Sequence, residues 1–349
     1  MFKVIEYDEV LEKLDDYVLI DVRTPKEFNE STIPGAINIP LFTDEERCEI
    51  GTVYTHESIE KAKKMGIEAV AKKLPQIYEK ITALYKNHRN LVFFCARGGM
   101  RSASITALMN SLSIGSYRIR GGYKGYREFI NRELKKQHEN LKYIVIHGKT
   151  GCGKTEILKK LNDRGYDMVD LEGAANHRGS LLGSVGLGSC RSQKMFESLV
   201  YNDLNERKTK YVFIEGESKR IGNVLIPNYI FDSMKDGYHI YVEDNIDNRG
   251  KFLVEEYTKS ENAKEEILLA LERMEKYMGN KKKQKYVELV NDEKYYEVCK
   301  ELMVDYYDPM YVNSMKKHEF DEKIYINGID DGVNKLIKWH EDNILSLEE

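Results

Sequence analysis

Eight residues, Gly148–Thr155 (GKTGCGKT), limit what this chain can fold into more than any other part of it. They match G-x-x-x-x-G-K-[ST] at every fixed position, directly after the apolar run Tyr143–Ile146 and directly before the amphipathic segment EILKKL. A strand passing through a glycine-rich turn into a helix is the setting in which such a loop cradles phosphate. Gly148, Gly151 and Gly153 let successive backbone N–H groups turn inward on an anion, the helix starting near Lys154 adds its positive end, and Lys154 supplies a full charge. Thr155 would hold a magnesium ion if one is present. Cys152, inside the loop, reads as a spacer.

Around this loop, short apolar runs at Met168–Leu171, Tyr211–Ile214, His239–Val242 and Lys323–Ile326 alternate with helical patterns, which predicts a parallel α/β sheet. From Arg249 to Met303 the chain is charged and helically periodic and reads as an insertion beside that sheet. A metal-binding acid is expected at a strand end, and two pairs qualify: Asp170 with Glu172, and Glu215 with Glu217. Either pair could cap a helix instead, and both readings stay open. His177, Arg178, Lys219 and Arg220 follow predicted strands on the side where α/β ligands bind, as phosphate contacts or as ordinary solvated loop charge.

The chain has 349 residues, room for two or three domains. A second strand–helix series precedes the first. Tyr17–Asp21 and Leu91–Phe94 read as buried parallel strands, Tyr117–Ile119 as a third, and Val70–Asn87 and Ser102–Leu112 as helices. Arg127–Asn140 is polar and helical, a linker that sets a boundary near 138. Cys95 stands at a strand-to-helix turn, CARGGMR, where inward N–H groups, the helix end and the guanidinium groups of Arg97 and Arg101 favour thiolate over thiol. The same cradle would stabilise a terminal persulfide or perselenide anion. The competing reading is an inert core cysteine.

Composition excludes several classes. With 41% hydrophobic and 32% charged residues and only 6 Pro, the chain is neither fibrous nor disordered. Fifty-four basic residues against 58 acidic ones give a net charge of -4, so any polyanion must be held by a local patch. The best such patch in the first half is Arg97, Arg101, Arg118, Arg120, Lys124 and Arg127, with Tyr123 and Tyr126 interleaved as stacking faces for an unpaired base. Five scattered cysteines without a C-x-x-C pair, no signal-like start and no long apolar run predict a soluble cytoplasmic protein with no membrane partner.

The segments Leu19–Phe28 (LIDVRTPKEF), Ile33–Pro40 (IPGAINIP), the Cys95 loop and Gly121–Tyr126 (GGYKGY) resemble rhodanese domains. By that resemblance Cys95 carries sulfur or selenium, while Asp21 and Arg23 are structural. Thr32 stands where many rhodaneses have His. A rhodanese domain upstream of a phosphate loop resembles the tRNA 2-selenouridine synthase family. Asp44–Tyr54, Leu171–Ser180, Ser192–Glu197, Ile214–Gly222 and Tyr306–Tyr311 carry the likeness further, with a departure at Gly216, where an acid is expected.

The expected architecture is therefore α/β: an N-terminal rhodanese-like parallel-sheet domain with a linker helix, residues 1–138, followed by a C-terminal P-loop NTPase-like parallel-sheet domain, residues 139–349, with a helical insertion around 249–303. The resemblance implies conversion of 2-thiouridine to 2-selenouridine at the wobble position of tRNA. Selenophosphate would be the donor, and an S-geranyl intermediate would be made from geranyl diphosphate. It implies tRNA, bound at its anticodon region, as partner and an enzyme that makes selenophosphate as a second one. No DNA partner and no bound organic cofactor are expected, and Mg2+ is left open. One alternative is a sulfurtransferase joined to an ATP-dependent small-molecule kinase; another is a nucleotide-regulated binding module.

Overall fold

The computed structural model describes residues 3–13, 16–87, 90–315 and 319–344. The chain divides into two compact units, Met1–Glu133 and Leu134–Glu349. The division falls inside helix Gly122–His138, ahead of the expected boundary at 138. His138 explains the shift, because its ring stacks on Tyr143 and tilts against Tyr229, both in the second unit.

In the first unit β1 (Val4–Ile5), β2 (Tyr17–Asp21), β3 (Ile37–Asn38), β4 (Asn90–Phe94) and β5 (Ser116–Ile119) form one sheet in the order β1-β5-β4-β2-β3. Every pairing is parallel. Continuous apolar runs such as YVLI and LVFF suit strands covered on both faces. Ile20, Leu91 and Phe93 pack with Ile81, Ile105 and Met109 in one core. The helix predicted over Val70–Asn87 begins earlier, at Ile59, and runs to Asn87. Its first turns bury only Ala62 and so lack the apolar stripe that marks a helix in sequence.

Asp21 and Arg23, expected to be structural, form one buried cluster with Thr32. Arg23 clasps Asp21 at 2.6 Å, both buried, and Thr32 donates a 2.9 Å hydrogen bond to the same carboxylate. The residue in the place of histidine is thus a working part of that cluster.

The second unit holds β6 (Lys142–Gly148), β7 (Met168–Val169), β8 (Tyr211–Glu215), an antiparallel ribbon of β9 (Arg220–Ile221) and β10 (Val224–Leu225), β11 (Tyr238–Asp244) and β12 (Glu322–Ile326). The main sheet runs β12-β11-β6-β8-β7, all parallel. From β6 the chain winds first to one side and then to the other, so the loops after β6, β8 and β11 surround a topological switch point. The predicted strand Met168–Leu171 stops at Val169, because Asp170 leaves the sheet to cap helix Leu171–Ala175.

The insertion comprises helices Ile246–Tyr257, Ala263–Met278, Asn280–Asn291 and Tyr295–Leu302, a π turn at Met303–Tyr307 and helix Asp308–Met315. It is longer at both ends than the expected 249–303. Leu271, Met274, Tyr286, Val290 and Met303 give it a core of its own. No described helix is long and apolar enough to cross a membrane.

Candidate active sites of the two units

In the second unit the phosphate loop joins β6 to helix Lys154–Asp163. Gly151 (φ +86°) and Gly153 (φ +70°) adopt the left-handed backbone that turns the loop's amides inward. A Cβ on Gly148 would lie 2.7 Å from the Val242 carbonyl oxygen, so β11 closes on the loop only because that position is glycine. Arg249 braces the turn from outside: its Nε donates to the Thr150 carbonyl at 2.9 Å while its Nη atoms grip Asp308 at 2.6 and 3.0 Å.

Lys154 is largely enclosed, its side chain 10% exposed, with Nζ 3.4 Å from the Gly148 carbonyl oxygen and 3.8 Å from Glu217. Burial opposes its charge, but the neighbouring Tyr311 hydroxyl and the carboxylates of Glu217 and Glu172 outweigh that and hold its pKa above the ordinary value. The Thr155 hydroxyl lies 2.9 Å from Glu172 and 3.2 Å from Glu215. One acid from each expected pair therefore meets at Thr155. Asp170 instead accepts the Gly173 N–H at 2.6 Å as a helix cap, which is the alternative reading for that residue. Burial, then the Glu217 charge, raises the Glu172 carboxyl to about 7. Glu215 is driven well above its usual range by burial and the charges of Asp170 and Glu172, and Glu217 is raised by burial. Asp203, on helix Gln193–Glu206, is raised to about 7 by burial and takes the Asp170 N–H at 3.1 Å; it carries no sequence signal.

Clustered acids that resist ionisation mark a place where added positive charge is stabilised. Thr155, Glu172 and Glu215 fit a magnesium ion shared with a substrate phosphate, a role that needs only one or two protein carboxylates.

A cavity of 170 Å³ opens beside the loop, lined among others by Lys154, Thr155, Glu172, Arg178 and Tyr311. Arg178 is tied to the insertion: it donates to the Val185 carbonyl at 2.6 Å, approaches Glu256 at 3.5 Å and lies over the Tyr257 ring at 4.9 Å. A second, larger cavity of 970 Å³ is lined among others by His147, Gly148, His177, Glu217 and Arg220. Lys219 lines neither of these cavities.

Sequence reasoning missed His147. Its Nε2 lies 2.8 Å from His239 Nδ1, and His239 Nε2 lies 3.1 Å from the Lys235 carbonyl oxygen. A carbonyl only accepts, so with both rings neutral the proton on His239 is on Nε2 and His147 Nε2–H donates across the pair. Gly216 is explained by the same ring. A Cβ there would stand 2.5 Å from His147 Nδ1, so no acid can occupy the position while His147 keeps its place.

In the first unit Cys95 directly follows β4 and precedes helix Met100–Ser111. Cys95 is 3% exposed and packs in the sheet core, with Sγ 3.3 Å from Ser102 Oγ. The loop is closed by backbone: Tyr123 N–H donates to the Cys95 carbonyl at 2.8 Å and Lys124 N–H to that of Ala96 at 2.9 Å. Arg118 donates to the Gly98 carbonyl at 2.8 Å.

The two arginines expected to serve Cys95 are engaged differently. Arg101 holds Glu27 at 2.7 Å, and this pairing outweighs burial to keep the Glu27 carboxyl below its usual range. Arg97 is exposed, with no ion pair among the described residues. The expected RNA-facing patch changes character. Arg120 pairs with Glu6 and Lys124 with Glu128, both exposed. Tyr123 and Tyr126 are core residues, 6% and 0% exposed, and Arg23 lies 4.1 Å over the Tyr123 ring, so neither offers a free stacking face.

A family model described as "tRNA 2-selenouridine synthase AAA domain" matches residues 141–343, more than half of the chain, and one described as "Rhodanese-like domain" matches residues 6–129. The chain belongs to the tRNA 2-selenouridine synthase family. The synthase of Pseudomonas putida (strain W619) is 29% identical over 331 residues, covering 85% of this chain and 89% of its own. That of Sulfurovum sp. (strain NBC37-1) is 30% identical over 327 residues, covering 85% and 88%. A crystallised N-terminal domain from Clostridium difficile 630 is 44% identical over 37% of this chain and 98% of its own, with a TM-score of 0.36. The family model thus begins one residue before the phosphate-loop strand and takes in the insertion whose Arg249, Asp308 and Tyr311 surround the loop.

Proposed function

We propose that this chain replaces the sulfur of 2-thiouridine with selenium at the wobble position of tRNA, after first alkylating that sulfur with geranyl diphosphate. The observation that carries the reading is the family match over residues 141–343, headed by a phosphate loop whose lysine is largely enclosed and held charged. Such a loop grips a diphosphate. As the thiocarbonyl sulfur forms its bond to the geranyl carbon, the carbon–oxygen bond breaks and pyrophosphate leaves with its electron pair. Lys154 and the inward amides of Gly151–Thr155 neutralise the charge that builds there. A bound magnesium ion at Thr155, Glu172 and Glu215 would offset further phosphate charge.

Geranylation turns the sulfur into a leaving group. The selenium of selenophosphate then adds to C2, geranylthiol departs, and hydrolysis of the selenium–phosphorus bond leaves 2-selenouridine and phosphate. No electrons change hands overall. Delivery from a selenium-loaded Cys95 is the other route, and it leaves a sulfur–selenium bond that a thiol must reduce. The burial of Cys95 makes the direct route simpler, with the Cys95 loop binding the selenophosphate anion.

Mass spectrometry of tRNA nucleosides from cells with and without the gene tests the reaction. Loss of 2-selenouridine on deletion is expected, and its persistence defeats the proposal. Cys95→Ala separates the two routes: under the carrier route selenium transfer stops and geranylation continues, whereas under the direct route both continue.

A further inference from the structure

The 970 Å³ cavity of the second unit has a chemistry that diphosphate binding does not use. Its lining includes the cations Arg220, Lys235 and Arg273 against one acid, Glu217, which is already drawn to Lys154 at 3.8 Å. Lys235 has a partner in Asp232, but Arg273 has no ion pair among the described residues, and Arg220 donates only to the Gly222 carbonyl. Arg273 and Tyr277 stand four residues apart on helix Ala263–Met278 and so share one face of it. Tyr277 is 51% exposed, its ring centroid lies 6.0 Å from that of Tyr306, and Lys276 Nζ lies 4.8 Å from its own centroid.

We propose that this cavity receives an unstacked nucleotide of the RNA substrate, its base laid on the Tyr277 and Tyr306 rings and its phosphates on Arg273 and Arg220. The inference rests on the RNA-modifying reading above and assigns the surface that holds the acceptor. An exposed Tyr277 ring and a half-buried Tyr306 ring beside guanidinium groups without ion pairs among the described residues suit single-stranded nucleic acid, since every base has a π face and every linkage a negative charge. The volume sits at the top of the 300–1,000 Å³ range of small-molecule pockets, enough for a base with its sugar and phosphates. A separate apolar slot between Leu253, Ile267, Leu271 and Leu302 meets the phosphate-loop cavity at Thr150 and Tyr257, but its volume is only about 40 Å³.

Position supports the assignment. Tyr311 lines both the phosphate-loop cavity and the larger one, and Gly148 of the loop is part of the larger cavity's wall. A base in the second cavity is thereby brought beside the anion held in the first, as transfer between them demands.

The test measures binding of a fluorescein-labelled anticodon stem-loop RNA by anisotropy and of inorganic pyrophosphate by calorimetry, on the full-length chain. Tyr277→Ala should weaken RNA binding roughly five- to a hundred-fold while Tyr277→Phe, which keeps the ring, binds within about twofold of the parent. Arg273→Ala should weaken RNA and lower the slope of log affinity against log salt by about one. Pyrophosphate binding should stay within about twofold in all three, which also reports that they fold. If the parent binds RNA and the variants bind it equally well, the inference is overturned and the proposed reaction stands. Loss of pyrophosphate affinity with RNA unchanged would assign the cavity to the donor and overturn it as well. A parent that binds no RNA defeats the proposed function itself.

Discussion

Cys95 and the phosphate loop each follow the end of a central parallel strand and each lead into a helix, of 12 and 10 residues, yet their charges are arranged in opposite ways. At Cys95 the nearby cation Arg101 is already neutralised by Glu27, and backbone packs so closely at Gly122 that a Cβ there would overlap the Cys95 carbonyl. At the phosphate loop Lys154 faces acids that outnumber it, three of which burial raises above their usual range. In the first turn Arg101 is paired, and the exposed Arg97 has no ion pair among the described residues. The second holds a charge imbalance that a phosphate with its cation would complete, which makes it the reactive half of the comparison.

The largest effect should come from removing the cation of the second turn. Lys154→Ala should lower geranyl transfer to 2-thiouridine RNA by about 10²–10³-fold, the range for losing one group that stabilises charge on a reacting oxygen. Radiolabelled geranyl diphosphate measures it. A residual rate within about threefold of the parent would remove the phosphate loop from the reaction and end the comparison.

Next comes the sealing of the first turn. Gly122 has φ +58°, and an added Cβ would lie 2.2 Å from the Cys95 carbonyl oxygen and 2.3 Å from Gly98 N, both backbone. Gly122→Ala should destabilise the first unit by about 3 kcal/mol, from left-handed strain together with overlap that no side chain can relieve. At Gly153, φ +70°, the added atom meets the Ile329 side chain at 3.0 Å, which can move. Gly153→Ala should therefore cost about 1 kcal/mol. Urea unfolding of the two variants compares them, and equal losses would show the two turns to be equally rigid.

The contrast also shows what the sequence could convey. Both turns were legible because a strand of Val, Ile and Phe must be buried and a glycine-rich turn after it has few uses. The partner of each charge was not legible. Acids two apart in a loop can face either way, so Asp170 and Glu172 look alike until the fold turns one into a cap and the other toward Thr155. Arg249 and Asp308 lie 59 residues apart and meet only through the insertion's packing. Tyr123 and Tyr126 look like stacking platforms beside arginines, yet their hydrophobic area is spent inside the first unit. Gly216 departs from the family motif because the His147 ring fills the space a side chain would need.

A smaller effect follows from the raised acids. Glu172 holds a proton in the folded state up to about pH 7 and in the unfolded chain only up to its ordinary 4.5. Its contribution to stability is therefore fully present below about pH 4.5 and is lost as pH rises through 7. Glu172→Gln removes the loss, so at about pH 8 and without magnesium the variant should be more stable than the parent by about 2 kcal/mol. Near pH 4.5 the two should converge. Thermal melts across that range decide it, and a parent as stable as the variant at pH 8 would mean that Lys154 already compensates the acid.

The first turn should answer pH with the opposite sign and more weakly. Glu27 is held below its ordinary 4.5 because the hydrogen bond and charge of Arg101 outweigh its burial. Its stabilisation is present above 4.5 and is lost as pH falls through the lowered value. The pair is partly open to water, so Arg101→Ala should cost under about 1 kcal/mol at neutral pH and flatten the acid limb of the first unit's stability curve. Selenium incorporation by the same variant gives the second readout. If Arg101 serves only to hold Glu27, incorporation should follow the small change in stability. A loss of tenfold or more would mean that the guanidinium exchanges Glu27 for the incoming selenophosphate anion, and the first turn would then be a closed form of the same device as the second.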